Sequence, residues 1–184
     1  MHKKLTKYIE SYEIIDDEKL YELKPNGGMI VVINHNNSCE IIIEDTLFEL
    51  KKDQSILINA YTESVEIRST EKLNLTAVRF KGAAASFFYE DLMEQLMYNP
   101  TEPIYLVKTL HDIELDDYFL NRFTPSKLPF NIMKIIDLLD KQGTEYNIDE
   151  VLAIANVPRK ILDKLFRLHA GLTFKTYAMI KDKS

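Results

Sequence analysis

Over the first eighty residues, apolar positions gather in short runs that recur about every ten residues. The segments 12–16 (YEIID), 29–34 (MIVVIN), 40–45 (EIIIED), 55–60 (SILINA), 64–69 (SVEIRS) and 73–80 (LNLTAVRF) are rich in Ile, Val and Phe, as strands are. Turn-forming residues separate them: Pro25-Asn26-Gly27-Gly28, the stretch from Asn34 to Ser38, and Lys51 to Asp53. Evenly spaced strands with short connections predict an antiparallel sandwich or barrel. Past Gly82 the period lengthens. Residues 83–97 (AAASFFYEDLMEQLM) and 113–123 (IELDDYFLNRF) follow helical spacing, on either side of an irregular stretch around Pro100 and Pro103. Residues 124–129 (TPSKLP) read as a linker, and everything from Phe130 onward reads as helix.

The helical part carries its own punctuation. FNIMKIIDLLDK stops at Gly143, a C-cap residue, and Asn147-Ile148-Asp149-Glu150 has the form of a capping box. The short helix it opens, IDEVLAIA, halts at Asn156-Val157-Pro158. Pro158 is expected at the first position of the next helix, where its missing N–H costs nothing. Two short helices joined by a tight turn have helix-turn-helix spacing. The expected fold class is α+β: an N-terminal antiparallel sandwich or barrel with helices, then an all-α helix-turn-helix module.

Length and composition narrow this picture only modestly. The 184 residues suit one large domain or two small ones, and 46% hydrophobic content is enough for a core. No apolar run approaches the roughly 20 residues of a membrane span, and MHKKLTKYIE lacks the apolar stretch of a secretory signal. The single cysteine, Cys39, has no partner for an internal disulfide, which fits a reducing compartment and a cytoplasmic protein. Charge says more. The net charge is −6, yet residues 158–184 carry seven Lys or Arg against two Asp, a local +5 that leaves −11 for the other 157 residues. An acidic body with a basic C-terminal segment restricts any nucleic-acid contact to that segment.

On a helical wheel Lys160, Asp163, Lys164 and Arg167 share one narrow face, with Ile161, Leu162, Leu165, Phe166 and Leu168 opposite. A charged face on a surface helix is ordinary by itself. The preceding tight turn and the local charge point further, to phosphates and base edges in a major groove.

Residues 147–180 (NIDEVLAIANVPRKILDKLFRLHAGLTFKTYAMI) resemble the first helix-turn-helix of AraC-type transcriptional regulators. The family pattern is a capped short helix, a turn, Leu-x-x-Leu-Phe, a basic pair, Gly, then Phe/Pro-x-x-Tyr. Leu162, Leu165, Phe166, Gly171, Phe174 and Tyr177 stand at those positions. YIESYEI, KPNGGMIVVIN and LTAVRFKGAAASFF resemble the cupin-like sensor domain that precedes this region in some members, with Asn26 where Asp is usual and the glycine turn shortened at Lys81-Gly82.

The resemblance implies three regions: a sensor or dimerisation domain over 1–108, a connecting helix and linker over 109–128, and the helix-turn-helix over 129–184. It implies base contacts from Lys160, Asp163 and Lys164 and backbone contacts from Arg159 and Arg167. Two departures stand out. Leu152 occupies a position where the family prefers alanine, and Pro158 replaces the usual Ser or Thr cap. The family's second helix-turn-helix is expected to be missing, the linker helix that would lead to it stopping at Ser184. One module makes few phosphate contacts, so weak, salt-dependent binding of double-stranded DNA follows, with homodimerisation as a compensation.

Other chemistries find little to stand on. His2, His35, His111 and His169 are scattered along the chain, and NHNNSCE offers one His with Cys39 and Glu40, so neither a metal site nor a cofactor is expected. There is no phosphate-binding glycine loop and no nucleophile elbow, and the chain is not expected to be an enzyme. Tyr12, Phe80 and Phe87 are candidates for lining an effector pocket, against the commoner alternative that they are core. Two readings therefore stay open. One is a DNA-binding regulator with an unknown effector; the other is a truncated sensor or interaction protein that dimerises or binds a small ligand without touching DNA.

Overall fold

The structure, a computed structural model, describes residues 1–107, 110–111, 113–142 and 145–182. Two antiparallel sheets face one another. The first contains β1 (Ile9–Asp16), β3 (Ile30–Asn34), β6 (Ser55–Ile58), β8 (Asn74–Phe80) and β9 (Ile104–Tyr105), in the order β1-β8-β3-β6-β9. The second contains β2 (Leu20–Leu23), β4 (Cys39–Ile43), β5 (Thr46–Leu50) and β7 (Val65–Arg68), in the order β2-β7-β4-β5. The architecture is α+β: a two-sheet antiparallel β-sandwich followed by helices.

The two sheets differ in how they are covered, and the residues show it. Every residue of β3 is buried. Ile30 and Val32 point between the sheets with Leu75 and Ala77, whereas Val31 and Ile33 point the other way with Val78 and Phe80. That second face is roofed by Phe87, Phe88, Tyr89, Tyr118 and Phe119. A strand covered on both faces reads as an unbroken apolar run. In β4 the alternation returns: Cys39, Ile41 and Ile43 are buried between the sheets and Glu40 and Ile42 are half-exposed, because the second sheet turns its outer face to water.

Helices α1 (Met93–Tyr98) and α2 (Leu115–Arg122) follow the sandwich, then α3 (Lys127–Gln142), α4 (Ile148–Ala155), α5 (Arg159–Ala170) and α6 (Phe174–Asp182). Two expectations change, and a third is not tested. Residues 83–97 form a 3-10 segment, Gly82–Phe87, a second short one, Glu90–Leu92, and only then α1. All six residues of the first segment are buried, because α3 and α5 pack on it. Three alanines in a row suit a wedge that is covered all round. Helix α3 begins at Lys127, inside the expected linker, with Pro129 in its first turn, where proline needs no donor. The cap expected at Gly143 lies outside the described residues.

The last four helices close a third apolar cluster around Ile132, Ile135, Leu139, Val151, Leu162, Phe166 and Tyr177, which takes in Ala83 from the sandwich side. Gly82 adopts φ +46°, and a Cβ there would lie 2.6 Å from Ile136 Cδ1. Only glycine lets α3 come this close.

Candidate nucleic-acid interface

Helix α4 starts where the capping pattern places it. Asn147 Oδ1 accepts from the Asp149 N–H at 2.9 Å, and Asp149 and Glu150 occupy the first turn, where acids favour the helix dipole. Its buried side is Val151 and Ala155; Leu152 is half-buried and packs against the same apolar cluster as the back of α5. The helix ends on Asn156, left-handed at φ 54°, whose N–H donates to the Leu152 carbonyl. Three residues later α5 begins. Pro158, at φ −60° and ψ 145°, is its N-cap and not its first helical residue, and it offers no side-chain acceptor.

Helix α5 separates its two sides cleanly. Leu162, Leu165, Phe166, His169 and Ala170 are buried; Arg159, Lys160, Asp163, Lys164 and Arg167 are exposed. Ile161, expected on the apolar side, is 36% exposed and stands with the charges. Among the described residues none of the four cations is in an ion pair. Arg159 and Lys160 also sit in the first turn, which holds no acid, so their charges oppose the helix dipole.

Asp163 differs from its neighbours. Its Oδ1 accepts from the Phe174 N–H at 3.1 Å, and Thr173 Oγ1 accepts from the Thr176 N–H at 3.0 Å. Together they cap the start of α6. The carboxylate has a structural task that its place among the wheel's charged residues conceals.

The back of α5 grips the sandwich. His169 is 5% exposed; its Nδ1 lies 3.2 Å from Ser86 Oγ, and that hydroxyl donates to the His169 carbonyl. Its Nε2 is buried with no hydrogen-bond partner, and burial pushes the imidazole down to about 4. The helix ends at Gly171, left-handed at φ +78°, where a Cβ would lie 2.1 Å from Asn59 Oδ1. Asn59 Nδ2 in turn donates to the Gly171 carbonyl at 3.4 Å.

This arrangement of sandwich and helices matches solved structures of ToxT from Vibrio cholerae. A 1.65 Å structure superposes with a TM-score of 0.52 at 12% identity, over 93% of this chain and 79% of that one. ToxT bound to (E)-4-(8-methylnaphthalen-1-yl)but-3-enoic acid gives 0.52 at 12% over 93% and 80%, and unsaturated fatty acid-bound ToxT gives 0.53 at 9% over 95% and 78%. The likeness is one of fold. No protein-family model matches the sequence, and no curated protein matches it.

The sandwich thus carries a helical region, and the remaining candidates can be placed on it. Phe80 and Phe87 are wholly buried in a packed aromatic cluster. Phe87 touches Tyr8, Phe123 and Phe130, with ring centroids 5.1, 5.5 and 4.8 Å away. Tyr12 lies at the cluster's margin, its ring stacked on Phe119 and its hydroxyl donating to Asp116 Oδ1 at 2.8 Å. Tyr12 also borders an open surface hollow with Glu10, Lys24 and Arg79. A cleft of about 580 Å³ runs between the N-terminal segment, Lys81-Gly82 and α3, with Tyr177 in its lining. Three lysines (Lys7, Lys81, Lys134) and three acids (Glu10, Asp137, Asp140) border it beside apolar Phe130, Met133 and Ile136. None of the three sequence candidates lines it, since a cleft made by distant segments leaves no local pattern.

Among the histidines, the fold brings His35 and His111 into contact, Nδ1 to Nδ1 at 3.0 Å. No group of three or more His, Cys, Asp or Glu among the described residues is arranged to hold a metal. Cys39 is buried between the sheets, which pushes its thiol up to about 12 and leaves it unreactive. Among the described residues, no helix is long and apolar enough to cross a membrane.

Proposed function

We propose that this chain is a cytoplasmic, non-catalytic transcriptional regulator of the AraC type, engaging duplex DNA through α5 and taking a small-molecule effector at the junction of sandwich and helices. The observation that carries the DNA reading is the outer face of α5. Four cations stand there with no ion pair among the described residues, two of them against the helix dipole. A protein optimised for stability alone places acids at that end; a phosphate partner reverses the preference. Lys160 and Lys164 are assigned to base edges and Arg159 and Arg167 to phosphates, while Asp163 positions α6. The sensor spans 1–108, the connection 109–128 and the DNA-binding region 129–184. A homodimer presenting two copies of α5 raises the avidity of a module with few contacts.

The effector reading rests on the cleft. ToxT has been solved with two organic acids that carry an apolar body. The cleft offers Lys7, Lys81 and Lys134 to a carboxylate and Phe130, Met133 and Ile136 to a hydrocarbon, although Glu10, Asp137 and Asp140 line it too and balance the lysines in charge. An occupant would touch α3 and Tyr177 on one side and the sandwich on the other.

Fluorescence anisotropy with a labelled duplex at low and moderate salt tests the DNA reading. The expected result is binding that weakens steeply with salt and falls further in Lys160→Ala with Lys164→Ala. Absence of binding by the folded chain, or equal binding by the double variant, sinks it. That result would favour the other reading, a ligand- or partner-binding protein without DNA affinity.

A further inference from the structure

Helix α5 carries one apolar residue that the core does not use. Ile161 lies in its first turn, one turn before Leu165 and two turns before Leu168 along the same side of the helix. Leu165 is 9% exposed and packs among the helices, and Leu168 packs against the outer core of the sandwich. At Ile161 that stripe outruns its partners. The side chain is 36% exposed and belongs to none of the three apolar clusters.

A single exposed isoleucine is ordinary on a protein surface. The setting of this one is not. Lys160 stands directly before it and Lys164 three residues after it, both exposed and outside any ion pair among the described residues. The N-terminal part of a recognition helix is the part that meets base edges.

The chemistry offered by this face is one-sided. Lysine and arginine side chains donate and never accept. Asp163, the acid among them, has its Oδ1 engaged by the Phe174 N–H. Donors suit bases that present oxygens in the major groove, O6 of guanine and O4 of thymine; adenine and cytosine place an amino group there instead. Thymine alone adds an apolar group to its edge, the 5-methyl. A branched hydrocarbon between two lysines matches that edge.

We propose that Ile161 is a specificity-determining residue of α5, packing on a thymine 5-methyl group in the major groove beside the guanine or thymine oxygens met by Lys160 and Lys164. This role rests on the DNA reading of α5. It adds to that reading a contact of a different physical kind. Phosphate contacts weaken as salt rises, whereas burial of a methyl group involves no counterion and keeps its worth. A role confined to seating α5 on the body would affect all duplexes alike.

The test begins by selecting a preferred duplex for the full chain from a randomised pool. Each thymine in it is then replaced by deoxyuridine, which removes the methyl and keeps the base pairing. Anisotropy is expected to show one replacement that weakens binding about fourfold, the worth of one buried methyl group, by the same factor at low and moderate salt. In Ile161→Ala that replacement is expected to change nothing, and in Ile161→Val, which keeps a branched side chain, to weaken binding about twofold. Unfolding midpoints close to that of the unmutated chain are expected in both variants, since Ile161 lies outside the clusters. Selection of no duplex at all overturns the DNA reading and this role with it. Binding in which no thymine methyl matters, or a methyl effect that persists undiminished in Ile161→Ala, overturns the role of Ile161 alone and leaves the DNA reading standing.

Discussion

Helices α4 and α5 are consecutive, in contact and similar in role as far as the core is concerned, yet their N-termini are built on opposite principles. Helix α4 opens with Asn147 as a cap and two acids in its first turn, so each local interaction favours the helix. Helix α5 opens with Pro158, which caps nothing, followed by Arg159 and Lys160 in a field that disfavours cations. Each choice at α5 sacrifices a few tenths of a kcal/mol to about 1 kcal/mol relative to the α4 design. Because the apolar back of α5 is buried in the same cluster as that of α4, the helix survives the sacrifice. Local frustration confined to one exposed face marks the place where something other than folding decided the residues.

The strongest challenge to this contrast is to neutralise that face. Replacing Arg159, Lys160, Lys164 and Arg167 together by Ala is expected to weaken duplex binding on the order of a thousandfold at low salt. Its salt slope should flatten by about one for each phosphate no longer neutralised. The unfolding midpoint should stay the same or rise. A large drop in thermal stability would mean that the cations serve the fold, and the contrast with α4 would collapse.

The opposite face of α5 gives the next effect. His169 is neutral when folded because burial holds its imidazole down to about 4, while the unfolded chain takes up a proton near 6.5. The unfolded state therefore binds more protons between those values, and stability falls as pH drops from about 6.5 to about 4, by about 3 kcal/mol in all. Denaturant unfolding measured across that range checks it, with His169→Gln expected to remove this part of the slope. An unchanged slope in the variant would place the acid sensitivity elsewhere.

Smaller tests act on the caps themselves. Asn147→Ala should lower stability by about 1 kcal/mol, because it exposes the Asp149 N–H at the start of α4. Pro158→Ser should do the reverse by about 0.5 kcal/mol, since it supplies an acceptor that α5 lacks. Both are read from chemical unfolding midpoints. Opposite signs sharpen the comparison; loss of stability in Pro158→Ser would show that the fixed φ of proline matters more than a cap.

Much of this was legible in the sequence, and the failures share physical causes. Strands β3, β4, β6, β7 and β8 announce themselves because burial demands apolar residues along them. Strands β2, β5 and β9 do not, and all three are sheet edges, where polar residues such as Glu22 and Glu49 face water and break the pattern. The caps and the charged face of α5 are local, so spacing reveals them. Asp163 looks like part of that face until α6 is seen to fold back onto it. The cleft beside α3 and the contact between His35 and His111 arise only when distant segments converge, and no window of sequence contains them.

The two-sided construction of α5 has a consequence for how such a protein can change over generations. Its outward cations form no ion pair with the sandwich among the described residues, while Gly171 and His169 are held by Asn59 and Ser86. Substitutions on the outside can therefore retarget the helix without retuning its seat, and substitutions in the seat can alter its tilt without rewriting its address. One twelve-residue rod thus carries two inheritable settings that vary independently.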